Sequence, residues 1–222
     1  MRDNKTSQAA NEYDDNVHKT IPRYHLFHEE TLDIVKAVVP KPQTWLDTGC
    51  GTGTLILKAL ACFGTMKIVA ADPSESMLEI AREKLMNYDI TYNQVSSEAL
   101  CGVGIFDVVT AIMVHHYLDK ELRKQATENC YNMLKQDGIY ITFETIKPNT
   151  QSGTQIGLQR WRAAQLRNGK SAESVDKHIS RYGSELLPIT VEEHIHTIKQ
   201  AGFTTAEILW VSGLQAGFYG IK

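Results

Sequence analysis

The feature that most constrains the fold of this chain is the segment Trp45–Gly53, whose sequence is WLDTGCGTG. It predicts a buried strand that ends in a glycine-rich turn and continues as a helix over Thr52–Phe63. Glycines at alternate positions let the backbone adopt positive φ and approach a ligand that Cβ atoms would keep away. Because Gly-x-Gly-x-Gly lacks the late glycine of the dinucleotide fingerprint, the turn favours a nucleotide-like cofactor other than NAD.

A second apolar run, Lys67–Ala71, ends in Asp72. An acidic side chain about 20 residues beyond a glycine turn, at the end of the next strand, can accept hydrogen bonds from both hydroxyls of a ribose. Together with Asp47, it gives the chain two carboxylates at the ends of neighbouring strands. The sequence therefore predicts a ribose-containing cofactor at this edge.

These residues resemble the class I S-adenosylmethionine-dependent methyltransferases. Leu46–Gly53 is similar to their first motif, a hydrophobic residue, an acid and three alternate glycines, and Ala71–Leu78 is similar to their second. The later segments that follow the family's order are Ser96–Leu100, Phe106–Ala111 and Leu134–Ile141. In all, the resemblance covers Tyr13–Ile146 and Thr190–Lys222.

The resemblance implies S-adenosylmethionine as cofactor and S-adenosylhomocysteine as product. It assigns the ribose to Asp72, the methionine moiety to the glycines, the ammonium to Asp47 and the adenine to Met77, Ser96 and Ser97. Ser96 departs from the acid common in the family, which weakens the expected contact to the adenine amino group. The full set of implied cofactor residues is Asp47, Gly49, Cys50, Gly51, Gly53, Asp72, Pro73, Met77, Ser96 and Ser97, with Tyr13 and Arg23 closing over the methionine end.

Alternating strand and helix patterns predict an α/β fold, and the resemblance makes it a Rossmann-like, doubly wound seven-stranded sheet with an antiparallel last strand. Strands are predicted at 44–49, 67–72, 90–96, 106–114 and 138–146, and a C-terminal hairpin at 206–211 and 217–221. Helices are predicted at 28–38, 53–63, 75–87, 119–134 and 190–201. A single domain of 1–222 would comprise a helical cap (1–40), the cofactor core (41–146), a helical lid insert (147–189) and a C-terminal helix and hairpin (190–222).

Composition limits the kinds of binding partner and cellular compartment that we expect for the chain. The chain has 222 residues, 42% of them hydrophobic, and a formal charge of −3, so a nucleic-acid partner would need a local basic patch. Four scattered cysteines fit a reducing cytoplasm better than disulfides or a metal site, and no apolar run is long enough to span a membrane. We expect a cytoplasmic protein without a metal; a homodimer is left open.

The insert is the basic part of an otherwise acidic chain. Between Lys147 and Pro188 it holds four more positive than negative residues. This predicts a lid that binds an anionic substrate, a carboxylate or phosphate, with Arg181 as the strongest individual candidate. The alternative is that these charges are solvated helix faces. Trp161 is expected either to contact substrate or to anchor the lid, and Tyr24 and His115 complete the predicted substrate cavity.

Methyl transfer from a sulfonium needs mainly alignment and exclusion of water. If the acceptor starts protonated, a base is needed, and His115 and His116, directly after the fourth strand, are the candidates. Hydrogen bonding to backbone or cofactor is the alternative role for both.

The function that follows is an S-adenosylmethionine-dependent methyltransferase acting on a small anionic metabolite. Three alternatives stay open: a tRNA-modification enzyme, a carboxy-S-adenosylmethionine synthase and a non-catalytic S-adenosylmethionine-binding regulator. The synthase branch is loosely similar around His194, Gly202 and Trp210, and there Arg181 would bind the added carboxylate. A dinucleotide oxidoreductase is disfavoured by the glycine spacing.

Overall fold

The computed structural model describes residues 3–222, which form one seven-stranded sheet in the order β3-β2-β1-β4-β5-β7-β6. Only β7 runs antiparallel to its neighbours, β5 and β6. The strands are β1 (Thr44–Thr48), β2 (Lys67–Ala71), β3 (Ile90–Asn93), β4 (Phe106–Ile112), β5 (Leu134–Thr145), β6 (Thr205–Ser212) and β7 (Gln215–Ile221). This confirms the Rossmann-like sheet with an antiparallel last strand.

Eight α-helices accompany the sheet across residues 3–222. They are α1 (Tyr13–Thr20), α2 (Tyr24–Val38), α3 (Thr54–Phe63), α4 (Glu75–Lys84), α5 (Lys120–Asn132), α6 (Gln151–Arg167), α7 (Ala172–Ile179) and α8 (Val191–Gln200). Short 3-10 helices lie at Ala10–Glu12 and His115–Tyr117. The insert thus consists of α6, α7 and the segment that leads to α8. No helix within residues 3–222 is long and apolar enough to cross a bilayer.

Successive residues of the central strands face opposite sides of the sheet, so both faces are apolar. Trp45 and Ile68 contribute to the core on the side of α2 and α3, where Phe27 stacks on Phe143 at 4.7 Å between ring centroids. Leu46 and the other strand residues that face the opposite side of the sheet contribute to the core under α5 and α8. The continuous apolar run in each strand is a consequence of this double coverage.

β5 begins four residues earlier than predicted. Leu134 already pairs with Phe106, and the register then shifts between Phe106 and Val108. Asp137 has φ +60 within the strand. Residues 134–137, which lie before the predicted strand 138–146, thus belong to an irregular pairing at the start of β5.

Gly217 provides a test of how tightly the sheet is packed. A Cβ at this position would lie 2.6 Å from the Cε1 and Cζ atoms of Phe143. We expect Gly217→Ala to destabilise the protein by about 1–3 kcal/mol, because Phe143 is buried and cannot yield freely. The measurement is urea unfolding of Gly217→Ala, Phe143→Leu and the double variant. Steric conflict predicts that the second substitution costs less when the first is present; additive costs would contradict it.

Candidate cofactor and acceptor site

The carboxyl ends of β1, β2 and β4 surround a cavity of about 350 Å³, which we call the large cavity. Its volume is in the range of small-molecule sites, and its position is the usual one for ligands of open α/β sheets. Eight of the twelve residues predicted to bind the cofactor line it: Tyr13, Gly49, Gly51, Asp72, Pro73, Met77, Ser96 and Ser97.

The glycine turn and Asp72 are bonded to each other. The backbone N–H of Gly51 donates to Asp72 Oδ2 at 2.9 Å, and the N–H of Ser74 donates to Oδ1 at 2.9 Å. Burial raises the pKa of Asp72, while these two hydrogen bonds oppose the rise. Gly51 has φ +52, and a Cβ added there would meet no atom within 4 Å. The turn therefore leaves open space beside a carboxylate, as a closely approaching cofactor requires.

Asp47 lies behind the turn, in a cavity of about 40 Å³ that also touches Tyr13, Tyr24 and His28. Asp47 is 2% exposed, and its carboxylate accepts one hydrogen bond, from Thr110 Oγ1 at 2.7 Å. Burial, reinforced by the charge of Asp72, raises the pKa of Asp47 to about 7. A cation next to it would restore its charge, so the position suits the ammonium of the cofactor's methionine moiety.

A third cavity, also about 40 Å³, is lined in part by the insert (residues 147–189), and we call it the small cavity. Tyr117 and Met113 line both the small and the large cavity, as do Thr6 and Tyr13. Met113 has φ +61, an uncommon conformation for a residue other than glycine. The two cavities are therefore neighbours separated by a few side chains.

Arg181 is the charged residue of the small cavity, and it is 8% exposed. Its Nε donates to Glu185 Oε2 at 2.7 Å, and its Nη2 donates to the carbonyl of Lys5. The guanidinium lies 5.9 Å from the ring centroid of Tyr117. Since a guanidinium has five donors in a planar fork, Arg181 retains donors for an anion.

Two further buried groups of the small cavity can contribute hydrogen bonds to a ligand. Thr145 is fully buried, and its Oγ1 has no partner among the described residues. His178 Nδ1 lies 3.1 Å from the amide nitrogen of Gln165, which can only donate. Burial, with the charges of Lys170 and Arg181, lowers the pKa of His178 to about 3. The neutral ring therefore carries its proton on Nε2, where it can donate.

The two predicted histidines have different surroundings. Both ring nitrogens of His115 are engaged, Nε2 with Ser97 Oγ at 2.8 Å and Nδ1 with Tyr140 Oη at 3.1 Å. Burial lowers the pKa of His115 to about 4. His116 lines the small cavity, and its Nδ1 lies 2.6 Å from Glu144 Oε2. Only His116 is therefore placed to act on a ligand.

The structure places four predicted residues away from the cavities to which the sequence assigned them. Arg23 lies outside these cavities, because its guanidinium donates to Ser212 Oγ at 3.0 Å. Gly53 supports α4, since a Cβ there would meet Leu85 Cδ1 at 2.9 Å. His115 lies below the site, and Tyr24 lines the cavity of Asp47, away from the small cavity. Cys50 also lines the cavity of Asp47, next to the position that suits the methionine end of the cofactor. Burial raises the pKa of the Cys50 thiol well above its usual range, in keeping with a packed side chain.

The sequence interpretation missed Glu144, Thr145 and the segment 3–8. Glu144 and Thr145 follow an apolar run at the carboxyl end of β5, and a polar pair at such a position is a signal that could have been used. Asp3 accepts hydrogen bonds from Ser74 Oγ and the N–H of Ser76 at 3.0 Å, which lays the N-terminal segment across the large cavity. No sequence pattern marks that contact.

Comparison with known proteins agrees with this geometry. Residues 46–138 match the model of a methyltransferase domain. Curated relatives include carboxy-S-adenosyl-L-methionine synthases of Wolinella succinogenes, 27% identical over 92% of this chain and 88% of the relative, and of Staphylococcus epidermidis, 25% identical over 90% and 87%. A plantazolicin methyltransferase solved in complex with a monoazolic desmethylPZN analog and SAH has a TM-score of 0.71, at 13% identity over 96% of this chain and 88% of that chain.

The domain match, the sheet order and the glycine turn facing Asp72 define an S-adenosylmethionine-dependent transferase. The methyltransferase-domain match over residues 46–138 and the sheet order support the class I S-adenosylmethionine-dependent methyltransferase family, whose cofactor is S-adenosylmethionine.

Asp47 predicts an unusual dependence of stability on pH. Its pKa is about 7 in the folded state against 3.8 when unperturbed, so the folded protein binds this proton more tightly. Its ionisation therefore lowers stability as pH rises from about 4 to about 7. We expect Asp47→Asn to be more stable than the natural chain by about 2–4 kcal/mol near pH 8, and by much less near pH 4. Urea unfolding at both pH values tests this, and an equal difference at both would contradict it.

Proposed function

We propose that the protein transfers a one-carbon group from S-adenosylmethionine to a small anionic acceptor held by Arg181. The observation that carries this is the small cavity, in which a buried guanidinium, the donor of His178 and the unpartnered hydroxyl of Thr145 converge beside the large cavity. A volume of about 40 Å³ holds roughly three water-sized groups, which suits a carboxylate. Donors of this kind recognise planar oxyanions.

Bound in the large cavity, the cofactor would supply a methyl group activated by its sulfonium. Asp72 would accept the ribose hydroxyls, and Ser96, Ser97 and Met77 would surround the adenine. Tyr13, Met113 and Tyr117 would separate the adenosyl side from the acceptor and exclude water between them. Arg181 would orient the acceptor, so the chain contributes mainly alignment.

A second reaction is favoured by the relatives. The names of eight curated relatives, at 21–27% identity over 88–97% of this chain, are carboxy-S-adenosyl-L-methionine synthase. In that case the anionic group held by Arg181 would end on the cofactor. Mass spectrometry of the cofactor after turnover separates the two reactions. Methyl transfer leaves S-adenosylhomocysteine, whereas the synthase reaction leaves S-adenosylmethionine that carries an added carboxyl group.

The cytoplasmic location and a homodimer remain predictions. The four cysteines are all free, Cys50 and Cys130 buried and Cys62 and Cys101 exposed. Size-exclusion chromatography with light scattering would determine the oligomeric state.

Asp72 tests the cofactor assignment. Asp72→Ala removes two charge-assisted hydrogen bonds to the ribose, and we expect calorimetric affinity for S-adenosylmethionine to fall by roughly 100-fold or more. Asp107→Ala is the matched control, because Asp107 binds the backbone N–H groups of Gln43 and Thr44 at the opposite end of the sheet. Equal affinities in the natural chain and Asp72→Ala would refute the assignment.

Arg181 tests the acceptor assignment. We expect Arg181→Met to raise KM for an anionic acceptor by roughly 100-fold, and Arg181→Lys to restore only part of it, since Lys lacks the planar fork. Arg160→Met is the control, because Arg160 is an exposed residue of the same lid. The kinetics are measured with a panel of small carboxylates and phosphates. An acceptor whose KM is unchanged in Arg181→Met would contradict the proposal.

A further inference from the structure

Glu144 is a fully buried carboxylate that the function described so far does not use. Each of its oxygens accepts two hydrogen bonds. Oε1 accepts from the N–H of His115 at 3.1 Å and from Thr142 Oγ1 at 2.7 Å. Oε2 accepts from the N–H of His116 at 2.8 Å and lies 2.6 Å from His116 Nδ1. These bonds fix the carboxylate beneath the turn that carries His116.

The charge state of Glu144 follows from these contacts. Burial alone would raise the pKa of Glu144, but the hydrogen bond from His116 and the neighbouring imidazoles lower it to about 2. An ionised carboxylate can only accept, so Nδ1 of His116 must carry the proton it shares with Oε2. In a neutral ring the lone pair is then on Nε2.

The other nitrogen of His116 is available for chemistry. Nε2 has no hydrogen-bond partner among residues 3–222, and the ring lines the small cavity together with Arg181. His115, one residue earlier, has no free nitrogen, as both are bonded to Ser97 and Tyr140. The fold therefore presents one imidazole base to the cavity that Arg181 makes suitable for an anion.

We propose that Glu144 is a positioning residue that holds His116 with Nδ1 protonated, so that Nε2 takes a proton from the acceptor during transfer. This rests on the proposed function and narrows its substrate class to small anions whose reacting atom carries a proton, such as a hydroxyl or an amine. An oxygen that is already anionic would need no base.

Transfer of the methyl group breaks two bonds and forms two. The bond between the acceptor's reacting atom and its hydrogen breaks, and the proton passes to His116 Nε2. The electron pair left on the acceptor forms the new bond to the methyl carbon. The carbon–sulfur bond breaks with its electrons on sulfur, which becomes the neutral thioether of S-adenosylhomocysteine.

Nitrogen-15 NMR of histidine-labelled full-length protein with S-adenosylhomocysteine tests the tautomer without an acceptor. The signals of His116 are assigned by their loss in His116→Gln. We expect a protonated Nδ1 and an unprotonated Nε2 at neutral pH, and Glu144→Gln should abolish this preference. A proton on Nε2 in the natural chain would overturn the inference.

Steady-state kinetics supply the second readout. We expect His116→Gln to lower kcat by roughly 10²–10⁴-fold with a small effect on KM. His196→Gln, at an exposed histidine of α8, is the matched control.

The outcomes separate the two proposals. If the natural chain fails to bind S-adenosylhomocysteine, the proposed function fails. If it binds but His116→Gln retains kcat, the role of His116 and Glu144 fails alone. Should Glu144→Gln not fold, His116→Gln and the NMR of the natural chain still decide the question.

Discussion

The hydrogen bonds between the glycine turn and β2 are the contacts on which the site depends. The N–H groups of Gly49 and Cys50 donate to the carbonyl of Ala71, and that of Gly51 donates to Asp72. These hydrogen bonds turn the chain at the end of β1. As a result, the backbone of the glycine turn lines the large cavity without side chains in between. Because β1 lies between β2 and β4, the same turn stands between Asp72 and the segment after β4 that carries the two histidines.

The buried carboxylates of Asp47 and Glu144 differ in how well their negative charges are compensated. Asp47 has little compensation, and burial raises its pKa to about 7, whereas four hydrogen bonds keep Glu144 ionised. This difference matches the roles we assign. The charge of Asp47 has no partner until a ligand supplies a cation. Glu144 is already fully hydrogen-bonded and holds the side chain of His116 in place. A buried carboxylate whose negative charge is poorly compensated lowers the stability of the folded protein unless a positively charged ligand group binds beside it.

Local sequence patterns, together with the family resemblance, were enough to predict the sheet and the edge at which the large cavity lies. The glycine spacing, the run before Asp72 and the apolar strands each act within a few residues, so they can be recognised without a structure. The small cavity could not be predicted in this way, because Arg181, Thr145 and His116 come from the lid, β5 and the turn after β4. The choice between His115 and His116 also required the structure, since it depends on which ring nitrogens are engaged. Arg23 was misplaced because nothing near it in sequence reveals Ser212.

Calorimetric titration of the natural chain with S-adenosylhomocysteine tests the central claim most directly, because it needs no acceptor. We predict saturable binding in the micromolar range that competes with S-adenosylmethionine. Absence of binding of either compound would contradict the assignment of the large cavity and of every role that depends on it.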